Sequence, residues 1–373
     1  MDALTTPLPR DWEVKTFRDI STINQGLQIP ISQRLKAPTE HAKFYITMQA
    51  LNNRKEFEYI KTYNESVVCH KDDILMTRTG NTGMVITNIE GVFHNNFFKI
   101  NFDRTLINKD FLVYFLSLEQ TQKTILKKAG TSTIPDLNHN DFYSLSIPLP
   151  PLNEQIAIAN ILSDVDHYLY SLDTLILKKE SVKKALSFEL LSQRKRLKGF
   201  NQNWQRVRLG DIANYLTSNL SAEQITQQGK IKVYDVNNFI GYTNTTFISD
   251  KPYISIVKDG SVGRVRILPP KTNILSTMGA LIANHKTTTE FLFYLLSNFD
   301  FKNFTSGSII PHIYFKDYKE KTIFLPPLNE QIAIANILSG LDNEIISLKN
   351  KKRQFENIKK ALNHDLMSAK IRV

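Results

Sequence analysis

The sequence predicts an α+β fold, in which two duplicated mixed α/β globules are separated by two long helices that form an antiparallel coiled coil with pseudo-twofold symmetry. First, the fourteen letters PPLNEQIAIANILS occupy residues 150–163 and return unchanged at 326–339. Second, residues 152–198 contain neither Gly nor Pro, which is typical of one long helix. Third, the regions around both copies mix strand-like and helix-like patterns, separated by turn residues.

The repeat extends beyond the fourteen letters and sets the predicted domain boundaries. Matching segments follow one another in the same order, while their offset shrinks from 192 to 176. We therefore predict a first globule (1–147), a first helix (148–198), a second globule (199–322) and a second helix (323–373). The matches are Trp12, Asp19 and Ile20 with Trp204, Asp211 and Ile212; GNTGMV (80–85) with GSVGRV (260–265); DFLVYFLS (110–117) with EFLFYLLS (290–297); Ile134-Pro135 with Ile310-Pro311; and KKAL at 183–186 and 359–362.

Each globule combines short strand signals with an amphipathic helix. The segments MVITNI (84–89), YISIVKDG (253–260) and RVRILPP (264–270) read as strands that end in turn residues. The segment from 108 to 130 reads as a single helix ended by Gly130, and 288–307 is its counterpart. Both globules are therefore predicted to be α+β, and GNTG and GSVG are predicted to be turns.

The long helices have a recognisable start and an apolar stripe. Pro151 suits the first helical position, and Glu154 suits the positive N-terminal end. A helix of about 40 residues would be about 60 Å long and needs a partner for its stripe, and the other copy is the simplest one. The basic tracts Lys178-Lys179, Lys183-Lys184 and Lys349 to Arg353 are predicted to be solvated. The predicted seam is Ile158, Ile161, Val165, Tyr168, Leu172, Leu175, Val182 and Leu186, matched by Ile334, Ile337, Leu341, Glu344, Leu348, Lys351, Ile358 and Leu362, with Ile345 and Phe355 partly filling the gaps.

The positive net charge favours nucleic acid as a partner, and this charge is unevenly distributed. The net charge of the chain is +11. The first 147 residues hold 17 basic and 16 acidic side chains, whereas residues 199–322 hold 14 basic and 9 acidic ones. No apolar run approaches membrane-spanning length, and the N-terminal letters lack a signal-peptide core. A single cysteine, Cys69, excludes an internal disulfide, and these features together fit a cytoplasmic location.

Motifs for catalysis are missing from the sequence. There is no Walker A motif, no Asn-Pro dipeptide of the kind found in methyltransferases that act on base amino groups, and no glycine-rich dinucleotide fingerprint. Cys69-His70 has no companion pair at metal-ligand spacing. We therefore predict no catalytic residue, metal ion or cofactor in this chain.

The helix starts carry a resemblance to a known family. The segments IPLPPLNEQIAIANILS (147–163) and FLPPLNEQIAIANILS (324–339), with WEVKTFRDI and WQRVRLGDI at the two globule starts and DILMTRTGNTGMV in the first globule, resemble the specificity subunit of type I restriction–modification enzymes. The resemblance covers essentially the whole chain. It implies that each globule is a target-recognition domain that reads one half of a split double-stranded DNA sequence, and that the helices set the spacing between the halves.

The same resemblance implies partner proteins. Two modification subunits, which bind S-adenosylmethionine and methylate adenine, would dock on the helices and domains. Restriction subunits would add ATP-driven translocation and cleavage, so that S-adenosylmethionine, ATP and Mg²⁺ are expected in partners rather than in this chain.

The identity of the helix starts predicts where the partners dock. A packed core tolerates exchanges among Ile, Leu and Val, so unchanged polar residues indicate a surface that two identical partners read. Recent duplication is the alternative, although the globules have diverged strongly. The predicted docking residues, all taken to be exposed, are Asn153, Glu154, Gln155, Asn329, Glu330 and Gln331.

The predicted DNA-reading residues are polar side chains next to turns. Arg and Lys suit guanine edges or phosphates, whereas Asn and Gln suit adenine. A purely structural turn role is an equally good interpretation of each one. The residues are Gln49, Asn52, Asn53, Thr77, Arg78, Thr79, Asn81 and Thr82 in the first globule, and Asn237, Asn238, Lys258, Ser261 and Arg264 in the second.

Two other functions remain open at this point. The chain could be a coiled-coil scaffold whose globules bind proteins, or an enzyme with an unrecognised methyltransferase or nuclease site. A gel shift with modification partners separates DNA reading from scaffolding, and methylation by the chain alone would indicate an enzyme.

Overall fold

A computed structural model describes residues 8–52 and 57–373 of the chain. They form two compact units, the first running up to Leu172 and including Lys351–Val373, the second comprising Asp173–Asn350. Each unit therefore combines one globule with one half of each long helix. Within the described residues, no helix is both long and apolar enough to cross a membrane.

The first globule is built from short strands and short helices. Its strands are β1 (Glu13–Thr16), β2 (Ser21–Gln25), β3 (Lys43–Ile46), β4 (Tyr59–Ile60), β5 (Val68–Cys69), β6 (Ile74–Thr77), β7 (Val85–Ile86), β8 (Gly91–Phe93), β9 (Phe97–Phe102) and β10 (Ser146–Leu149). Its helices are α1 (Phe17–Ile20), α2 (Met48–Asn52), α3 (Lys109–Ser117), α4 (Glu119–Ala129) and α5 (His139–Tyr143), and the long helix α6 (Leu152–Leu191) follows.

The second globule repeats this plan with fewer helices. Its strands are β11 (Gln205–Arg208), β12 (Ala213–Thr217), β13 (Ile231–Tyr234), β14 (Phe239–Thr243), β15 (Tyr253–Val257), β16 (Val265–Leu268), β17 (Thr272–Ile274), β18 (Met278–Ala283), β19 (Thr305–Ser306), β20 (His312–Ile313) and β21 (Thr322–Leu325). Its helices are α7 (Thr289–Ser297) and α8 (Phe315–Tyr318), and the long helix α9 (Leu328–Met367) follows.

The two globules share one strand arrangement, which confirms the predicted duplication. The main antiparallel sheet has the order β2–β9–β6–β7 in the first globule and β12–β18–β15–β16 in the second. The first strand of each globule pairs antiparallel with the last strand before the long helix, as β1 with β10 and β11 with β21. A second sheet contains one parallel pair in each globule, β3 with β8 and β13 with β17. The α+β prediction and the predicted strands are correct.

The predicted single helix of the first globule is wrong in one respect. The chain breaks at Leu118, whose backbone is extended with ψ 135°, so that α3 and α4 are separate helices. Leu118 is buried in the core of the first unit, and this packing overrides the continuous helical pattern. Gly130 does end α4, with φ +89°.

Both long helices span 40 residues, as predicted, although α6 ends at Leu191, seven residues before the predicted end. Gln193 adopts φ +62° just beyond that end. Within the first unit, Tyr168 of α6 contacts Phe355 of α9. Asp166, two residues earlier, contacts Lys359, four residues later. In the second unit Lys179 contacts Glu344 and Lys183 contacts Asp342. The halves therefore pack antiparallel within each unit.

Only part of the predicted seam is buried. Ile158 and Leu172 are buried, but Leu175 and Val182 are 38% and 45% exposed, and Ile176 is buried instead. A strict seven-residue spacing drifts by about 20° per heptad on a helix of 3.6 residues per turn, so the contact line moves by one residue. In α9, Ile337 and Ile358 are exposed, whereas Ile345, which was predicted to help fill the gaps, is buried.

The basic tracts are only partly solvated, which corrects their predicted position off the stripe. Lys179 and Lys183 lie half-buried between the helices of the second unit. Lys349 pairs with Glu180 at 2.6 Å. The carboxylate partner of each of these ammonium groups lies on the other long helix, so the sequence of one helix alone does not show it.

Candidate nucleic-acid interface and helix-start contacts

The turn GNTG of the first globule is a rigid structural element. Gly80 and Gly83 both adopt positive φ, +89° and +91°, which favours glycine. Thr77 and Thr82 are buried. The Thr77 hydroxyl donates to the main-chain oxygen of Asn81, and the Thr82 hydroxyl donates to that of Pro135 at 2.7 Å. The two threonines that were predicted to read DNA are thus buried, and their hydroxyls hold the turn together.

Arg78 and Thr79 are also engaged within the globule. The Arg78 guanidinium donates to Asp136 Oδ2 at 2.7 Å and lies over the Phe98 ring, and Thr79 donates to Asp136 Oδ1 at 2.5 Å. The Arg78 side chain is 17% exposed. Asp136, which no sequence motif marks, thus neutralises the arginine that was predicted to contact DNA.

Three other predicted residues of the first globule are exposed. Gln49 and Asn52 lie on α2, directly after strand β3, and Asn81 lies at the tip of the turn. Asn53 lies outside the described residues. Gln49, Asn52 and Asn81 therefore remain available to a ligand.

The turn GSVG of the second globule has the same backbone but different side chains. Gly263 N–H donates to Val257 O at 2.9 Å, as Gly83 N–H donates to Thr77 O at 2.8 Å. Ser261 and Arg264 are exposed and Lys258 is half-buried. The position of Asp136 is taken by His312, whose Nδ1 lies 2.6 Å from Asp259 Oδ1. Lys258 is therefore not neutralised in the manner of Arg78.

The hairpin formed by β13 and β14 places Asn237 and Asn238 at its tip, both exposed. Asp235 Oδ1 accepts from the main-chain N–H groups of Asn237 and Asn238, at 2.7 and 2.6 Å. Arg264 Nη2 donates to Asn237 Oδ1 at 2.9 Å, and Arg266 Nη1 donates to Asn237 O at 3.0 Å. Sequence reasoning missed Asp235 and Arg266, although the alternation of basic residues in RVR placed Arg266 on the same strand face as Arg264.

The identical helix starts are internal contacts, which overturns the expected exposure of four docking residues. Glu154 and Gln155 are 4% and 1% exposed, and Glu330 and Gln331 are both 0% exposed. Since these side chains are buried within their own unit, they do not present a surface to a partner. A physical reason for their recurrence lies in the contacts that they make.

Each glutamate joins the start of a globule to the end of the opposite long helix. In the first unit, Trp12 Nε1 donates to Glu154 at 3.1 Å, and Arg372 donates to both carboxylate oxygens at 3.0 and 2.7 Å. In the second unit, Trp204 donates to Glu330 at 3.0 Å, and Arg196 donates at 3.1 and 2.6 Å. Tryptophan, glutamate and arginine all recur along the chain, and that recurrence was the available signal.

Two further sets of contacts occur in both units. One is made by the glutamines, and the other joins a tyrosine, an aspartate and a lysine. Gln155 holds the loop before α3 through Leu106 O and Asn108 N–H, and Gln331 holds the equivalent loop through Lys286 O and Thr288 N–H. Tyr114 donates to Asp166 at 2.8 Å and Tyr294 donates to Asp342 at 2.8 Å. The second oxygen of each aspartate accepts from Lys359 or Lys183 of the opposite helix.

Charge contacts shift several pKa values. Burial, and then the hydrogen bond to Asp166, raises the pKa of Tyr114 well above its ordinary value, and Tyr294 is affected in the same way by Asp342. The hydrogen bond to Glu154 raises the pKa of Arg372, and the hydrogen bond from Arg372 lowers the pKa of Asp11. Burial raises the pKa of the Cys69 thiol to about 12, so this thiol is unreactive at neutral pH.

An exposed face of the helix start remains identical in the two copies. Asn153 and Asn160 of α6 are exposed, and Ile156 between them is 41% exposed. In α9, Asn329 and Asn336 are exposed, and Ile332 is 49% exposed. Spacings of three and four residues place each set on one side of its helix. We call these two sets the Asn-Ile-Asn faces.

Within the described residues, no cluster of three or more His, Cys, Asp or Glu side chains could hold a metal ion. The exposed polar turns and helix faces offer surfaces for binding, and the buried contacts described above hold them in place.

Comparison with known proteins gives a consistent family. The model of the type I restriction modification DNA specificity domain matches residues 9–179 and 201–357. The MjaVIII specificity subunit of a type I restriction enzyme from Methanocaldococcus jannaschii is 25% identical, over 98% of this chain and 94% of that protein. The putative MjaX specificity subunit from the same organism is 29% identical, over 98% and 95%. The crystal structure of the S subunit of a type I restriction–modification system from M. genitalium aligns with a TM-score of 0.63 at 21% identity, covering 97% of this chain and 98% of that chain.

Proposed function

This chain belongs to the type I restriction–modification DNA specificity family, and we propose that it is a non-catalytic subunit whose two globules each read one half of a bipartite double-stranded DNA target. The observation that carries the proposal is the duplication. Two globules with the same strand order differ in the side chains of their exposed turns, while the contacts that attach them to the long helices are the same. Conserved attachment with variable tips is the arrangement that two different half-sites require.

The surfaces that we assign to DNA are the exposed polar tips. In the first globule these are Gln49, Asn52 and Asn81, and in the second they are Asn237, Asn238, Ser261, Arg264 and the half-buried Lys258. Arginine and lysine can contact guanine edges or phosphates, and amide side chains can contact base edges in the major groove. The larger positive charge of residues 199–322 favours a greater phosphate contribution from the second globule.

The long helices have two roles in the proposal. They fix the spacing between the half-sites, and they dock two modification subunits that carry S-adenosylmethionine chemistry. With the buried glutamates and glutamines assigned to internal contacts, we place docking on the Asn-Ile-Asn faces. An isoleucine that stays exposed at the same place in both copies, between two exposed asparagines, suits an interface that is used twice. Restriction subunits, with ATP and Mg²⁺, and a cytoplasmic location complete the proposed setting.

Exchange of the first globule tests the two-reader proposal. Replacement of residues 1–147 by the corresponding globule of a relative should change one half of the selected DNA sequence and leave the other half unchanged. The assay is selection of preferred sites from a random DNA library by the complex with its modification subunits. If both halves change together, independent reading by the two globules is wrong.

Docking is tested separately. Ile332→Asp with Asn336→Ala should weaken binding of the modification subunit without changing thermal stability, because both side chains are exposed. Binding that is unaffected by this variant and by its counterpart, Ile156→Asp with Asn160→Ala, would place the docking surface elsewhere. Methyl transfer by the purified chain alone would contradict its non-catalytic role.

A further inference from the structure

We propose that Arg264 and Asn237 act as one unit that reads a guanine in the half-site of the second globule, with Asn237 as a positioning residue that contributes one further donor. This inference rests on the proposed function and names the base that one site would select. It starts from the 2.9 Å hydrogen bond between Arg264 Nη2 and Asn237 Oδ1 at an exposed tip.

The direction of that hydrogen bond is fixed by chemistry. A guanidinium group can only donate, so the amide atom of Asn237 that faces it must be the oxygen. An asparagine that reads adenine uses its oxygen to accept from the N6 amino group and its nitrogen to donate to N7. The oxygen of Asn237 is already directed at Arg264, so the usual adenine contact is unfavourable. This replaces the sequence-based assignment of Asn237 to adenine.

The groups that remain are donors. Within the described part of the chain, Arg264 engages Asn237 through Nη2 alone, which leaves N–H groups on Nε and Nη1 for a ligand. Asn237 retains its Nδ2 amino group. Guanine presents two acceptors, N7 and O6, at its major-groove edge, whereas the other bases present at least one donor or a methyl group there. A pair of side chains that offers only donors therefore matches guanine.

The pair is held rigidly, as base reading requires. Asp235 Oδ1 accepts from the main-chain N–H groups of Asn237 and Asn238 and fixes the turn. Arg266 donates to Asn237 O, and its guanidinium lies 5.2 Å from the Tyr234 ring centroid. The asparagine is thus fixed on both sides before DNA binds, so little conformational entropy is lost on binding.

The first globule does not contain this pair. The residue at the position of Arg264 is Met84, and the arginine of its turn, Arg78, is directed at Asp136. The inference therefore concerns one half-site only, and the other half-site is an internal control in every experiment.

The experiment is site selection by the complete complex of this chain and its modification subunits, from DNA randomised in both half-sites. Wild type should select a guanine at one position of the second half-site. Arg264→Lys keeps the charge but loses the planar fork, so it should reduce preference for that guanine about tenfold or more. Asn237→Ala and Asn237→Asp should each reduce it, and Asp still offers an oxygen to Arg264 but lacks the Nδ2 donor. Arg206→Ala, which removes an exposed arginine from β11, is the matched control and should leave the preference unchanged.

Each outcome decides between the alternatives. If Arg264→Lys keeps the wild-type sequence preference and Arg264→Ala weakens binding to all sequences equally, Arg264 is a phosphate contact and the inference is wrong. A defined second half-site without a guanine, or a guanine preference that survives Arg264→Lys, would also overturn it. If wild type selects no defined second half-site at all, the proposed function itself fails. Melting temperatures of the variants exclude loss of folding as the cause.

Discussion

Removing the charge of Glu330 tests whether the repeated helix start is an internal lock. Glu330 is 0% exposed and accepts three hydrogen bonds, two from Arg196 and one from Trp204. In Glu330→Gln the volume is kept, but one oxygen becomes an amino group that faces the Arg196 Nε–H. One hydrogen bond to a charged acceptor is lost and the other two become weaker.

The magnitude follows from these contacts. Hydrogen bonds to charged groups contribute about 1.5–3 kcal/mol and neutral ones about 1 kcal/mol, so we expect the variant to lose about 3 kcal/mol of stability. For a unit of this size, each kcal/mol lowers the melting temperature by about 2–4 °C, so the transition of the second unit should fall by about 6–12 °C. Glu154→Gln should cost less, about 1–2 kcal/mol, because its partner Arg372 is 46% exposed, against 25% for Arg196.

The assay is differential scanning calorimetry of the full chain, in which each variant is compared with wild type. Asn336→Ala, an exposed position of the same helix, is the control and should shift the transition by less than about 0.5 kcal/mol in equivalent stability. Unchanged melting of Glu330→Gln together with lost binding of the modification subunit would refute the reasoning and restore Glu330 as a docking residue.

Three further outcomes are expected. Tyr294→Phe removes the hydrogen bond to Asp342 and should lower the stability of the second unit by about 1.5–3 kcal/mol, measured by calorimetry, with Tyr242→Phe in the same globule as the control. Because the pKa values of Tyr114 and Tyr294 are raised from 10.0, the stability that these two tyrosines contribute should be fully present below pH 10 and be lost as the pH rises further. Melting temperatures measured across alkaline pH should show this loss. A Tyr114→Phe/Tyr294→Phe double variant whose melting temperature falls with pH as steeply as that of wild type would contradict it. Four residues inserted into α6 after Leu175 add about 6 Å and nearly one full turn, so site selection should yield a spacer longer by one or two base pairs with both half-sites unchanged. A two-residue insertion should instead weaken DNA binding. An unchanged spacer with the four-residue insertion would mean that the helices do not set the spacing. The insertion point lies inside α6, which ends at Leu191, so the added residues can extend the helix.

The sequence by itself determined the duplication, the α+β class and the two long helices. These conclusions rest on local features of the sequence, namely an identical fourteen-residue segment, a Gly- and Pro-free stretch and the paired turns GNTG and GSVG. Local backbone preferences are sufficient to form the helices and turns that these features predict. The family followed from the same letters. The break between α3 and α4 did not, since Leu118 ends a helix through burial rather than through its own propensity.

Only the tertiary structure decided which polar side chains are exposed and which are held by internal contacts. Arg78 and Arg264 both flank the paired glycine turns in the sequence, but Asp136 neutralises the first and Asn237 accepts a hydrogen bond from the second, and those partners are 58 and 27 residues away. Glu154 looked like a surface residue because glutamate is rarely buried unless paired, and its partners, Trp12 and Arg372, lie 142 and 218 residues distant. A sequence pattern records which residue recurs, whereas the direction of a side chain depends on contacts between distant segments, and these exist only once the chain has folded.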